Sequence, residues 1–162
     1  MSRVQLALNV DDLDASIAFY AKLFNTKPAK IRPGYANFAV AEPPLKLVLI
    51  ENPGSGGSLN HLGVEVADTD TVDAEQTRLA AAGFASIDER DTTCCYAKQD
   101  KFWVEGAPNG ERWEIYTVLA DSPTFSAEPD AAGPACCGTT GDADRAAEIT
   151  EVEPSAAGAC CG

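Results

Sequence analysis

The stretches "VQLALNV" at 4–10 and "HLGVEVA" at 61–67 carry one strand pattern twice, with Gln5 and His61 standing 56 residues apart in equivalent places. In the first, Val4, Leu6, Leu8 and Val10 alternate with Gln5, Ala7 and Asn9, the period of a half-buried strand. Asp11 or Asp12 then caps a helix whose apolar stripe is Leu13, Ile17, Tyr20 and Phe24. Pro28 and the "RPG" at 32–34 close that region, and "YANFAVA" (35–41) and "LKLVLIE" (45–51) follow as strands joined through "EPP", with room for one more short strand. Past the linker "NPGSGGSLN" the order starts again. Leu62, Val64 and Val66 alternate with His61, Gly63 and Glu65; a capping region at Asp68, Thr69 and Asp70 opens an Ala-rich helix to about Ala82, and Gly83 stops it. Strands are expected near 93–98, at "KFWVEG" (101–106) and at "RWEIYTV" (112–118), the last two joined by a Pro-Asn-Gly turn. The expectation is an α+β fold: two tandem β-α-β-β-β modules, 1–52 and 59–120, curling one sheet around a shared cleft with the helices outside.

Of the 162 residues 45% are hydrophobic, enough for one core. The charge is uneven. Residues 121–162 hold eight acids against Arg145 alone, so −7 of the net −13 sits in the last quarter, which is rich in Ala, Gly, Pro, Ser and Thr. That composition reads as a disordered acidic tail behind a folded unit at 1–120. The negative charge argues against nucleic acid and anionic membrane as partners. No apolar run approaches the ~18–20 residues a span needs. The opening "MSRVQLALNVDDLD" has acids where a signal peptide has bases and a long apolar run, so a cytoplasmic protein with reduced thiols is expected. Both modules lie in one chain, which suits a monomer or a homodimer.

The element order resembles the vicinal oxygen chelate superfamily, which includes glyoxalases, extradiol dioxygenases and the fosfomycin and bleomycin resistance proteins; the match covers roughly residues 2–120. In that superfamily metal ligands enter the cleft from the first and last strands of the modules. The strand phases here point the same way. If Leu6 and Val64 pack toward helices, Gln5 and His61 face the cleft, and Trp113 and Ile115 on one face of "RWEIYTV" leave Glu114 and Tyr116 on the other. Imidazole, carboxylate and amide oxygen suit a borderline or hard divalent metal and leave positions open for reactants. His61 is the chain's one histidine, so a two-histidine facial triad cannot be assembled. The fourth ligand place falls on Leu47, Val48 and Leu49, so three protein ligands are expected.

All six cysteines stand in adjacent pairs: Cys94–Cys95, Cys136–Cys137 and Cys160–Cys161. Neighbouring Cα atoms lie ~3.8 Å apart, whereas disulfides usually need ~4.4–6.8 Å, so a bridge within a pair is strained. Bridges between pairs stay open. Adjacent strand residues point to opposite faces, so Cys94 and Cys95 belong on a loop or bulge, where both sulfurs can close on one soft atom. Trivalent arsenic makes three bonds, and one already bearing carbon needs two thiols. With "VQLALNV", "NHLGVEV", "TTCCYA", "KFWVEGAPNGERWEIY" and the Cys-Cys-bearing tail, the chain resembles the ArsI/CadI family of carbon–arsenic lyases and cadmium-induced proteins. The resemblance implies iron(II) held by Gln5, His61 and Glu114, a trivalent organoarsenical held by Cys94 and Cys95, and dioxygen as co-substrate, with arsenite released. Tyr96 and Tyr116 are candidates for positioning substrate or dioxygen, Lys98 or Lys101 for favouring the thiolate, and Cys136, Cys137, Cys160 and Cys161 for auxiliary thiols that collect arsenicals. Trp103 and Phe102 read as packing. Two alternatives stay open: a non-catalytic soft-metal-binding stress protein, and a glyoxalase or thiol-transferase type of resistance protein.

Overall fold

The computed structural model describes residues 2–126. The elements run β1 (Arg3–Val10), α1 (Leu13–Leu23), β2 (Lys30–Arg32), β3 (Tyr35–Val40), β4 (Leu45–Glu51), β5 (Leu59–Glu65), α2 (Thr69–Ala81), β6 (Ser86–Cys94), β7 (Ala97–Val104) and β8 (Trp113–Asp121). Eight strands form one curved mixed sheet in the order β2-β3-β4-β1-β5-β8-β7-β6. The fold is α+β. β1 runs parallel to β4 and β5 parallel to β8, and the two halves are joined where β1 meets β5 antiparallel.

The helices begin where the sequence offers caps. The Asp12 side chain accepts from the Ala15 N–H at 2.8 Å and that of Asp68 from the Thr71 N–H at 2.9 Å, satisfying donors that the first helical turn leaves unpaired. α2 ends before Gly83, whose φ of +87° an L side chain resists. α1 packs on β3 and β4, and α2 on β7 and β8. On the outer face, Ala36, Phe38, Leu47 and Leu49 meet Leu13, Ile17, Tyr20 and Phe24 of the α1 region, while Phe102 and Ile115 meet Val72 and Leu79 of α2.

The second module departs from its expected boundaries. β6 runs from Ser86 to Cys94, whereas a strand at 93–98 would pass straight through the turn at Cys95 and Tyr96. Its sequence "SIDERDTTC" is largely exposed, because an edge strand has no apolar alternation to display. β7 spans Ala97–Val104 rather than 101–106, and β8 continues to Asp121. Past the expected boundary at 120 the chain stays packed: Ser122 N–H donates to the Tyr96 carbonyl, and Phe125 lies against Tyr35 and Tyr96. The tail pairs Cys136–Cys137 and Cys160–Cys161 lie outside the described residues.

Phe38 is fully buried against α1, so Phe38→Ala should cost about 3–5 kcal/mol of unfolding free energy. Val118→Ala, at a side chain 41% exposed, should stay within about 0.5 kcal/mol. Denaturant titration of both variants checks the pair.

Candidate active site

The inner face of the sheet is set by register. Gln5 and Ala7 of β1 stand opposite Gly63 and His61 of β5, and Gly63 in turn stands opposite Glu114 of β8. Gln5 and Glu114 therefore flank one glycine from either side. Neighbouring strands lie about 4.8 Å apart, so two side chains separated by a whole strand ordinarily do not meet. Here the Gln5 Nε2 amide donates to Glu114 Oε1 at 2.8 Å. A Cβ on Gly63 would come within 3.1 Å of Glu114 Cγ and 3.3 Å of both Gln5 Cβ and Tyr116 Cε1, filling the space that lets them converge.

His61 Nε2 completes the group, 2.9 Å from Gln5 Nε2 and 3.3 Å from Glu114 Oε1. All three residues are nearly fully buried. His61 Nδ1 lies 2.7 Å from Asn60 Oδ1, and since an amide oxygen only accepts, the ring hydrogen sits on Nδ1 and the Nε2 lone pair faces the group. Asn60 is itself held, its amide donating to Asn9 Oδ1. Glu114 is divided among three neighbours: Oε1 faces Gln5 and His61, while Oε2 accepts from Lys101 Nζ at 3.1 Å. Burial alone would raise this carboxyl, but the buried Lys101 charge and the hydrogen bond from Lys101, with the His61 ring beside it, outweigh that and push its pKa down to about 2. It stays a carboxylate. Lys101 is no loop cation; it is a fully buried strand residue over the Trp103 ring, whereas Lys98 is a surface partner of Asp91.

The donor set fits a divalent cation, and its surroundings say how. Among the described residues no three His, Cys, Asp or Glu side chains gather, and the side-chain amide that adjoins both His61 and Glu114 is that of Gln5. As placed, Tyr116 Oη is 2.5 Å from Gln5 Oε1 and 2.9 Å from Glu65 Oε2, and one hydroxyl hydrogen cannot serve both acceptors. With a cation bound, turning the amide over would let its nitrogen donate to Tyr116 and the hydroxyl to Glu65, and would bring the amide oxygen beside His61 Nε2 and Glu114 Oε1 as an N/O donor set. Tyr116, named from the sequence as a candidate to touch substrate, lies behind Gln5 and orients it. Trp103 lies edge-on to His61 with ring centroids 5.6 Å apart, while its neighbour Phe102 packs in the outer core.

The cysteine pair occupies the β6–β7 turn. Cys94 ends β6; Cys95 and Tyr96, at φ +55° and +59°, form a two-residue turn of the left-handed kind usually built from Asn and Gly. Each such residue costs on the order of 1–2 kcal/mol. The surroundings hold the turn: the Cys95 N–H donates to the Phe125 carbonyl, and the Tyr96 carbonyl accepts from Lys30 Nζ and Ser122 N–H. The Tyr96 hydroxyl donates to the Pro33 carbonyl, tying this side chain to the first module. Cys94 and Cys95 pack with Ala7, Tyr35, Val48 and Ile50, the inner-face row that continues from Gln5. Their sulfurs are 3.4 Å apart, too far for a covalent S–S bond of ~2.05 Å. The two sulfurs thus form no disulfide with each other. Sequence reasoning missed Asn60, Lys101 as a buried partner of Glu114, and Gln99, whose amide donates to the Cys94 carbonyl at 3.3 Å.

Comparison with known proteins identifies the chain's relatives. The family model of the Glyoxalase/Bleomycin resistance protein/Dioxygenase superfamily matches residues 3–115. The chain is 68% identical over 129 residues to "Cadmium-induced protein CadI" of Mycobacterium tuberculosis (strain ATCC 25618 / H37Rv), covering 80% of this chain and 84% of that one. It is 59% identical over 138 residues to "Trivalent organoarsenical cleaving enzyme" of Thermomonospora curvata, covering 85% and 89%. Among solved structures, the Mn(II)-bound glyoxalase from Novosphingobium aromaticivorans superposes with a TM-score of 0.53 at 20% identity, over 80% of this chain and 44% of that one. The fold, the inner-face register and these relatives together place the chain in the Glyoxalase/Bleomycin resistance protein/Dioxygenase superfamily, in the ArsI/CadI family of cadmium-induced and trivalent organoarsenical cleaving proteins.

Proposed function

We propose that this protein is an iron(II)- and dioxygen-dependent carbon–arsenic lyase that converts trivalent organoarsenicals, methyl or aromatic, to arsenite in the cytoplasm. One observation carries the reading: the Cys94–Cys95 turn packs on Ala7, Val48 and Ile50, in the same inner-face row as Gln5 and directly across from His61. A soft-atom clamp and an N/O donor set thus share one cleft. The relatives named for organoarsenical cleavage support it.

Capture needs both sulfurs as thiols, the thiolate being the form that bonds arsenic. A hydrated arsenical R–As(OH)2 then exchanges two hydroxyls for the two thiols and releases two waters. The pair keeps the arsenic at the apolar end of the cleft, and Tyr35, Val48 and Ile50 receive the organic group and exclude water. Gln5, His61 and Glu114 would hold iron(II), which supplies dioxygen activation when bound. Asn60 keeps the His61 lone pair turned toward that site, and Tyr116 keeps the Gln5 amide aligned. The overall change balances without a further reductant: CH3As(OH)2 and O2 give formaldehyde and As(OH)3, the carbon–arsenic bond being replaced by new carbon–oxygen and arsenic–oxygen bonds. Auxiliary capture by Cys136, Cys137, Cys160 and Cys161 would raise the arsenical concentration near the site.

A second reading, soft-metal sequestration without turnover, is favoured by the likeness to cadmium-induced relatives. It needs the cysteines and has no use for Gln5, His61 and Glu114.

Reduced protein loaded with iron(II) without air should release arsenite from methylarsenite once air is admitted, and none while air is withheld; cadmium binding with no turnover would favour sequestration. Replacing Cys94 and Cys95 together with serine should abolish turnover, whereas Glu114→Ala should keep arsenical binding and lose turnover. Anaerobic titration should show metal affinity about tenfold or more weaker in Asn60→Ala, whose loss frees the His61 tautomer. Gly63→Val should weaken metal binding in the same titration, by wedging Gln5 from Glu114.

A further inference from the structure

Gln99 lies on the inner face of β7, in a row with Lys101 and Trp103, whose side chains reach Glu114 and His61. It is 4% exposed. Its Nε2 donates to the Cys94 carbonyl at 3.3 Å, and since a carbonyl can only accept, the nitrogen must face it and the amide oxygen must turn away. That oxygen, Gln99 Oε1, is buried without a hydrogen-bond partner. A buried orphan acceptor carries a desolvation penalty that a donor from a bound molecule would remove. Gln99 stands opposite Thr92, two residues before Cys94 on β6, so its side chain lies on the same face of the hairpin as that of Cys94.

We infer that Gln99 Oε1 accepts a hydrogen bond from a hydroxyl on thiol-bound arsenic, which makes Gln99 a residue that tells product from substrate. The inference rests on arsenic capture by Cys94 and Cys95. Valence decides which species offers the donor. A methylarsenical on two thiols has carbon and two sulfurs on arsenic and no hydroxyl left. Arsenite on the same two thiols, formed from As(OH)3 with release of two waters, keeps one hydroxyl. The chain therefore recognises the inorganic product by a contact that the organic substrate cannot make.

The test compares arsenite and methylarsenite binding to the reduced full-length chain, without iron or air, with Cys136, Cys137, Cys160 and Cys161 changed to serine so that one thiol pair is titrated. Gln99→Met should weaken arsenite binding about fivefold, the worth of one neutral hydrogen bond, and leave methylarsenite within about twofold. Gln99→Ala should show the same ratio if the longer side chain disturbs the turn. Equal weakening of both arsenicals, or of neither, overturns the inference, since damage to the hairpin would not distinguish them. Failure of both to bind the chain with Gln99 intact would instead overturn thiol capture, and with it the lyase reading.

Discussion

The candidate site depends on an absent side chain. Gln5 and Glu114 sit on strands that never touch, separated by β5, and they meet because Gly63 stands between them. A side chain there would crowd the amide and the carboxylate from between, its Cβ alone coming within 3.1 Å of Glu114 Cγ and 3.3 Å of Gln5 Cβ. The antiparallel junction of β1 with β5 then fixes the third donor, since it brings His61 opposite Ala7, one step along the inner face from Gln5. Two copies of one supersecondary unit, joined edge to edge, thus supply donors that neither holds alone.

The junction also determines where the cysteines arrive. The sheet curls far enough for the β6–β7 turn to meet the first module, where Lys30 reaches Asp121 and the Tyr96 carbonyl and the Tyr96 ring packs on Tyr35. A left-handed turn built from Cys95 and Tyr96 is costly in isolation. It persists because the neighbouring segment 122–126 and β2 take up its polar groups.

Much of this was legible in the sequence because period-two alternation states which residues share a face. Gln5, His61 and Glu114 could be grouped from phase alone, and both helix starts could be read from Asp12 and Asp68. What escaped has physical reasons. Lys101 and Gln99 matter through partners on neighbouring strands, which no local pattern records, and Asn60 matters through the ring of His61 beside it, a contact that strand phase does not reveal. The extent of β6 escaped because Asp88, Glu89, Arg90 and Asp91 show no apolar phase.

The charges that hid β6 have a use of their own. An open eight-stranded sheet leaves two rims of unpaired backbone groups, each able to template another copy of the chain. One rim is β2, only three residues long and followed directly by Pro33. The other is β6, where Arg90 lies between Asp73 and Asp88 and fixes charge along the border. Stacking a second sheet against that border would bury those ions, so a molecule that exposes so much strand is guarded against fibrous self-association by the least strand-like part of its sequence.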